Sequence, residues 1–214
     1  MKTSVKYICV ADTETGGLPD SNKKAFEDIA LSEVAMVVID CEELKIVDEY
    51  SATIAPYKEG LIYDPKAVEV NGLSQKILEE SGSQLKDVYK TIKSYLTKYK
   101  NPRQKAILCG HNFTGFDMPF FENMFTYFNE DIYDFVKWVE DTQKLAYFSM
   151  LESENYKLST CCLKYGIDLQ EAHRALADTR ANALLMIEFI KNMRGSGKEA
   201  AGIVQSRLRD HFKI

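Results

Sequence analysis

Several things are missing from this chain, and each absence removes a class of function. No run of about 18 consecutive apolar residues occurs, so no membrane span is predicted and no membrane partner is expected. The opening Met1-Lys2-Thr3-Ser4-Val5-Lys6-Tyr7 has no apolar signal core. Paired C-x-x-C spacing is absent too. The five cysteines (Cys9, Cys41, Cys109, Cys161, Cys162) are an odd number, two of them adjacent. The three histidines (His111, His173, His211) supply no zinc spacing either. The thiols are therefore expected to be reduced and mostly core, in a reducing, cytoplasmic compartment. There is no internal repeat and no low-complexity tract.

Positive charge is also in deficit. Lys and Arg total 27 against 32 Asp and Glu, a net charge of -5. That excludes a strong non-specific duplex binder, which works through Lys and Arg on phosphate. The deficit is uneven. Residues 191–214 hold Lys191, Arg194, Lys198, Arg207, Arg209 and Lys213 against Glu199 and Asp210, a net +4, which leaves -9 for the remainder. A short grip on a single strand stays compatible with this balance, the more so if some acids are metal ligands.

What is present is ordered. At 214 residues and 45% hydrophobic content, the chain suits one folded domain. Tyr7-Ile8-Cys9-Val10-Ala11 is a near-continuous apolar run, which predicts a strand buried on both faces. Ile29 to Ile39 predicts a second strand, with Glu33 as its single charge before Asp40, read either as a neighbour of a site or as an edge or bulge position. Leu44 to Ile54 predicts a third, and short connections predict an antiparallel meander. Helical pieces follow at 63–72 and 73–80, then an amphipathic helix at 84–99. Strands at 106–110 and 135–139 alternate with helices beginning near Pro119, running to Met150, and covering 157–165. A long helix at 175–193 carries Leu184, Ile187 and Ile190 on one stripe, and Gly195-Ser196-Gly197 is expected to break it before a short basic helix. The fold class is α/β with a mixed sheet.

Four acids stand at element ends beside apolar faces. Asp12 and Glu14, two residues apart at the end of the first strand, project to one face. Gly16-Gly17 lets backbone turn and approach closely there. Asp117 precedes apolar positions at +3, +4, +7, +8 and +11, so it points inward; a helix cap is its ordinary alternative. Asp178 heads the long helix with Ala181 and Leu185 on its own side. His173 is five residues earlier, about 140° away on a continuous helix, so it reaches the same site only from a loop or first turn. Four like charges within ~4 Å of one another cost about 1–4 kcal/mol per pair at effective dielectrics of 80 to 20. Two divalent cations would turn that cost into a gain, as in two-metal phosphoryl chemistry.

In their order and spacing these residues resemble the motifs of the DEDDh 3′→5′ exonucleases. Asp12-Thr13-Glu14 is similar to the first motif, His111-Asn112-Phe113-Thr114-Gly115-Phe116-Asp117 to the second, and His173-Arg174-Ala175-Leu176-Ala177-Asp178 to the third. Weaker echoes fall at Glu33-Val34-Ala35, Asp141-Thr142 and 158–166, and Asn71-Gly72-Leu73 stands where many members have His-Gly-Ile. The resemblance implies a ribonuclease H-like fold: a five-stranded mixed sheet, antiparallel in its first three strands, flanked by helices. It implies that Asp12, Glu14, Asp117 and Asp178 hold two Mg²⁺ or Mn²⁺ ions and that His173 accepts the water's proton. It implies that Thr13, Thr15, Asn112 and Phe116 position the terminal nucleotide, with core packing as the alternative for Phe116. The expected substrate is a single-stranded or frayed DNA 3′ end, with an RNA 3′ end, as in ribonuclease T-like members, as the alternative. A DNA polymerase is the expected partner. Residues 1–194 are expected to form the exonuclease domain and 195–214 a basic tail or short helix that docks a partner or packs on its own domain.

Overall fold

The computed structural model describes residues 5–169 and 174–211, with side chains through residue 195. His173 lies outside the described residues. Three strands come first: β1 (Tyr7–Thr15), β2 (Leu31–Asp40) and β3 (Lys45–Thr53). Helices α1 (Pro65–Asn71), α2 (Gln75–Ser81) and α3 (Leu85–Lys98) follow. Then come β4 (Ala106–Gly110), α4 (Asp117–Tyr127), β5 (Val136–Asp141), α5 (Thr142–Ser149), α6 (Leu158–Tyr165) and α7 (Ala175–His211). The sheet order is β3-β2-β1-β4-β5. The β1–β2 and β2–β3 pairs are antiparallel, while β1–β4 and β4–β5 are parallel. This is the mixed sheet that the strand pattern predicts. β1 is its centre, which is why its apolar run is continuous: both faces are covered.

The two faces bury different sets. Cys9 and Ala11 face a core with Val34, Met36, Val38, Leu108 and the aromatic side of α4, Phe120, Phe121 and Phe125. Ile8 and Val10 face the other way, onto Val37, Ile39, Ile107, Cys109 and the α7 residues Ala183, Met186, Ile187 and Ile190. Strand alternation then puts Asp12 and Glu14 on the α7 face, in line with Ile8 and Val10. The same alternation puts Glu33 on that face of β2, with Val37 and Ile39, directly opposite Glu14 in the register.

Several expectations need correction. β1 runs on to Thr15, so both carboxylates lie inside the strand rather than beyond it. Glu33 is not at an edge, because β2 is paired on both sides; the irregularity in its ladder falls next to it, between Glu14 and Thr15. Ile187 and Ile190 are buried as the stripe predicts, but Leu184 is 43% exposed and Ala183 takes its place on the packed face of α7. Gly195-Ser196-Gly197 does not stop α7, which continues to His211. Two glycines cost about 1 kcal/mol each in a helix interior, a penalty but not a stop in the absence of proline. No helix among the described residues is long and apolar enough to cross a membrane.

Where β1 ends, the chain turns under a tight constraint. The Gly16 N–H donates to the Ala30 carbonyl at 2.8 Å, and a Cβ added at Gly16 would meet the Ile62 carbonyl oxygen at 2.1 Å. Both contacts are backbone, so neither yields easily. Overpacking of this kind costs about 1–3 kcal/mol. Gly16→Ala is therefore expected to lower the Tm by about 2–12 °C, and an unchanged melting curve would show that this close approach is not required.

Candidate active site

The carboxylates meet at the end of the central strand. Asp12, Glu14 and Asp178 each offer an oxygen, and these atoms all lie within 4.8 Å of one another. All three are half-buried. Asp178 sits in the first turn of α7, so the packing of that helix against β1 and β2 carries it to the strand. Among the described residues this is the one acidic, histidine or cysteine cluster of metal-binding spacing. Its donors are all hard oxygens, the set that suits divalent cations such as Mg²⁺ or Mn²⁺. The cluster therefore fits a divalent metal.

Asp117 arrives from the opposite face. It is the first residue of α4 and is 2% exposed. It is not a helix cap, since Phe116 takes that position without a side-chain hydrogen bond. Instead its Oδ1 accepts from the Thr13 backbone N–H at 3.0 Å and from the Thr13 hydroxyl at 2.6 Å. Thr13 points away from α7, between Asp12 and Glu14, so it ties Asp117 across the strand end into the same group. Asp117 does not belong to the 4.8 Å trio, yet its charge bears on Asp12.

Crowding in a dry corner shows in the acidities. Asp12 is raised well above the usual carboxylate range, first by burial and then by the charges of Asp117, Glu14, Asp178 and Glu33. Glu14 is raised to about 7 by burial, opposed by a hydrogen bond from Asn71. Asp117 is raised to about 7 by burial, opposed by its two bonds from Thr13. Each group thus resists ionisation here unless positive charge is supplied.

The proposed nucleotide-positioning residues divide. Thr13, Thr15 and Phe116 line a cavity of about 410 Å³ beside Glu14, together with Gly17, Leu18, Asp64, Lys66, Ala67, Val70 and Asn71. The hydroxyls of Thr13 and Thr15 are already engaged, the first on Asp117 and the second on the Gly17 carbonyl at 2.7 Å. Phe116 lines the cavity and also packs on Phe120, ring centres 5.9 Å apart, so it is part core and part cavity wall. Asn112 is exposed and does not line this cavity. Its φ of 57° is left-handed, a conformation asparagine tolerates, and its N–H donates to Asp141 at 2.9 Å. His111 is a structural tie: Nε2 donates to the Tyr156 carbonyl at 2.8 Å, Nδ1 meets the Thr142 hydroxyl at 2.9 Å, and burial lowers its pKa.

Four neighbours of the site have no role predicted from the sequence. Asn71, 8% exposed, donates to the Thr15 carbonyl at 3.1 Å and accepts from Leu73 N–H at 2.9 Å, pinning the end of α1 to β1. Asp141 at the end of β5 holds the 112–114 loop through Asn112 and Thr114. Among the described residues, Asp64 and Lys66 bring the ionisable side chains to the cavity wall besides Glu14. Their one sequence signal was position near the weaker echoes. A larger groove of about 670 Å³ between α5 and α6 shares no lining residue with this cavity and has Glu152 and Lys164 as its charged lining.

The raised acidities carry a sign. In metal-free protein, the unfolded chain releases carboxyl protons near pH 4.5 while folded Glu14 and Asp117 hold theirs to about 7. The folded state binds more protons in that window, so this contribution to stability is present at low pH and is lost as pH rises through about 7. Melting in a chelator from about pH 5 to about pH 8 should show a falling Tm, with a shallower fall in Glu14→Gln. Equal slopes in the two proteins would contradict the assignment.

Comparison with known proteins agrees with this geometry. The profile of an exonuclease family (RNase_T) matches residues 9–186. The PolC-type DNA polymerase III of Pediococcus pentosaceus is 28% identical over 208 residues, covering 97% of this chain and 13% of that protein. That of Bacillus subtilis is 28% identical over 188 residues, covering 88% and 12%. The chain thus spans about an eighth of the length of these relatives. Among solved structures, Escherichia coli exonuclease I in complex with a dA16 oligonucleotide superposes with a TM-score of 0.70 at 19% identity, over 88% of this chain and 41% of that one. A 3′-exonuclease solved for its recognition of histone mRNA stem-loop superposes at 0.65 and 16% identity, over 89% and 84%. These likenesses establish a ribonuclease H-like fold, and with the family match over most of its length, the chain belongs to the DEDDh-type 3′→5′ exonucleases.

Proposed function

We propose that this chain hydrolyses phosphodiester bonds at single-stranded or frayed DNA 3′ ends, releasing nucleoside monophosphates in proofreading or repair. The observation that carries the reading is the meeting of Asp12, Glu14 and Asp178, from the two ends of the matched region, within 4.8 Å. Asp12, Glu14, Asp117 and Asp178 would hold two divalent ions, Mg²⁺ or Mn²⁺. Such a pair supplies charge stabilisation for the attacking and leaving oxygens of an in-line displacement. Thr13 holds Asp117 Oδ1 at the end of β1 through two hydrogen bonds. His173, read from the sequence, takes the proton of the attacking water; its ordinary pKa of about 6.5 leaves it mostly neutral near pH 7. The water oxygen bonds to phosphorus as the bond to the 3′ oxygen breaks.

The adjoining cavity suits a terminal nucleotide. Leu18, Val70 and Phe116 offer apolar surface to a base, and Lys66 offers a cation for phosphate. Exposure of 75% at Leu18 and 55% at Val70 supports a surface built to be covered by substrate rather than by the protein's own core. DNA is favoured by the polymerase relatives and the oligonucleotide-bound neighbour, and a DNA polymerase is the proposed partner. The mRNA stem-loop neighbour, which is matched over most of its own length, favours RNA 3′ ends as the second reading. Five free, buried cysteines support a reducing, cytoplasmic setting. We take residues 1–194 as the catalytic unit and 195–214 as a basic extension.

Digestion of 5′-labelled DNA and RNA oligomers with Mg²⁺ or Mn²⁺ tests this. DNA should shorten stepwise from its 3′ end, faster than RNA. Asp12→Asn and Asp178→Asn should each slow cleavage by more than about 100-fold, beyond the 10–100-fold typical of an outer partner. Undiminished cleavage in either would end the assignment. His173→Ala should slow cleavage by about 10²–10⁴-fold while Mn²⁺ still raises the Tm; loss of that Mn²⁺ effect would remove His173 from the proton-accepting role.

A further inference from the structure

One carboxylate on the α7 face of the sheet takes no part in the trio. Glu33 is the most buried acid of this corner after Asp117, its side chain 4% exposed, and it stands opposite Glu14 on the neighbouring strand. Both of its oxygens are engaged. Oε2 accepts from Arg174 Nε and from the Ala175 N–H, each at 3.4 Å, and Oε1 accepts from Arg174 Nη2 at 3.3 Å. The guanidinium approaches as a two-pronged fork, the geometry that fixes direction as well as distance. Ala175 is the first residue of α7, so the carboxylate also sits at the positive end of that helix.

We infer that Glu33 is a positioning residue for the catalytic helix: its carboxylate clamps Arg174 and Ala175 to the centre of the sheet and so sets where Asp178 stands. This rests on the nuclease reading for its catalytic consequence, though not for the clamp itself. The backbone links the two directly, since Asp178 N–H donates to the Arg174 carbonyl at 3.1 Å, one turn along. Glu33 pays a charge penalty at this place, because it adds to the repulsion on Asp12 and Glu14. A fifth acid beside four others is tolerated because its two oxygens are needed elsewhere. The rest of α7 is held by Leu176, Ala183, Met186, Ile187 and Ile190 on the sheet, by Leu185 and Phe189 packed with Ala146 and Cys161, by the Thr142 hydroxyl donating to Asn182 at 2.6 Å, and by an exposed ion pair of Arg180 with Glu49. Those contacts fold the helix onto the domain; Glu33 adds directional, charge-assisted hydrogen bonds at its N-terminal end.

A clamp and a mere source of negative charge give different outcomes. Glu33→Gln keeps an oxygen acceptor but removes the charge, while Glu33→Ala removes both; Glu49→Ala, which frees the exposed pair, is the control. With 5′-labelled DNA and Mg²⁺, Glu33→Ala is expected to lower kcat about 10–100-fold with KM changed less than about threefold. Glu33→Gln should lie within about tenfold of the unaltered protein, and Glu49→Ala should match it. Hydrogen exchange on the full chain without metal should show faster amide exchange at 175–178 in Glu33→Ala than in Glu33→Gln, with exchange at 183–190 unaltered. Equal behaviour of the Gln and Ala variants, or unaltered exchange at 175–178 in Glu33→Ala, would overturn the clamp. If the unaltered protein degraded neither DNA nor RNA, the nuclease reading would fail while the exchange comparison still decided the clamp.

Discussion

Like charges forced together at the edge of a dry core are the constraint around which this molecule is arranged. At roughly 4–5 Å and effective dielectrics of 80 to 20, each carboxylate pair costs about 1–4 kcal/mol. A domain's whole stability is about 5–15 kcal/mol. Asp12, Glu14 and Asp178 make three such pairs, and Asp117 and Glu33 add to them. Nothing in the packing requires acids at these positions. The corner is held together against its own electrostatics by the two apolar layers of the sheet, with α4 on one face and α7 on the other.

That arrangement explains why the site comes from distant parts of the chain. β1 is central, parallel to β4 and antiparallel to β2, so its C-terminal end borders three connections at once. α7 brings Asp178 down one face, and α4 brings Asp117 around the end from the other. Thr13 is the joint between them: its side chain points to the α4 face while its neighbours Asp12 and Glu14 point to the α7 face. Strand alternation alone produces this, because residues 12, 13 and 14 must alternate. The pocket next to Glu14 then opens on a wall supplied by α1, pinned to β1 through Asn71. Where the resembled family often has His-Gly-Ile, this chain has an asparagine whose amide is spent on backbone and on Glu14, so here the position serves to hold the wall.

The sheet and the acidic cluster of Asp12, Glu14 and Asp178 were legible because their signals are local and strong. A continuous apolar run cannot be a half-exposed strand, which made β1 central, and acids set beside apolar faces required a common explanation. The resemblance of three ordered motifs supplied the rest of the set. What the sequence did not show has equally definite causes. Helical periodicity placed Ile187 and Ile190 correctly but, read without its partner surface, put Leu184 on the packed stripe where the sheet selects Ala183. In the sequence Asp117 points inward with a cap as its alternative, because caps and inward acids share one position; its bonds from Thr13 and the place of Phe116 at the cap decide for the first. Glu33 stayed open between a neighbour of the site and an edge or bulge position, because its partner Arg174 is 141 residues away. The exposed placement of Asn112 depends on a left-handed backbone that no neighbouring residue announces.

The central claim, that cations balance the crowded acids, is tested most directly by crystals grown with Mn²⁺ and examined by anomalous scattering. The account predicts density for manganese at about 2.0–2.6 Å from carboxylate oxygens of Asp12, Glu14 and Asp178, with a second ion ~3.5–4 Å from the first. Crystals saturated with Mn²⁺ that hold no ion between these three side chains would contradict it.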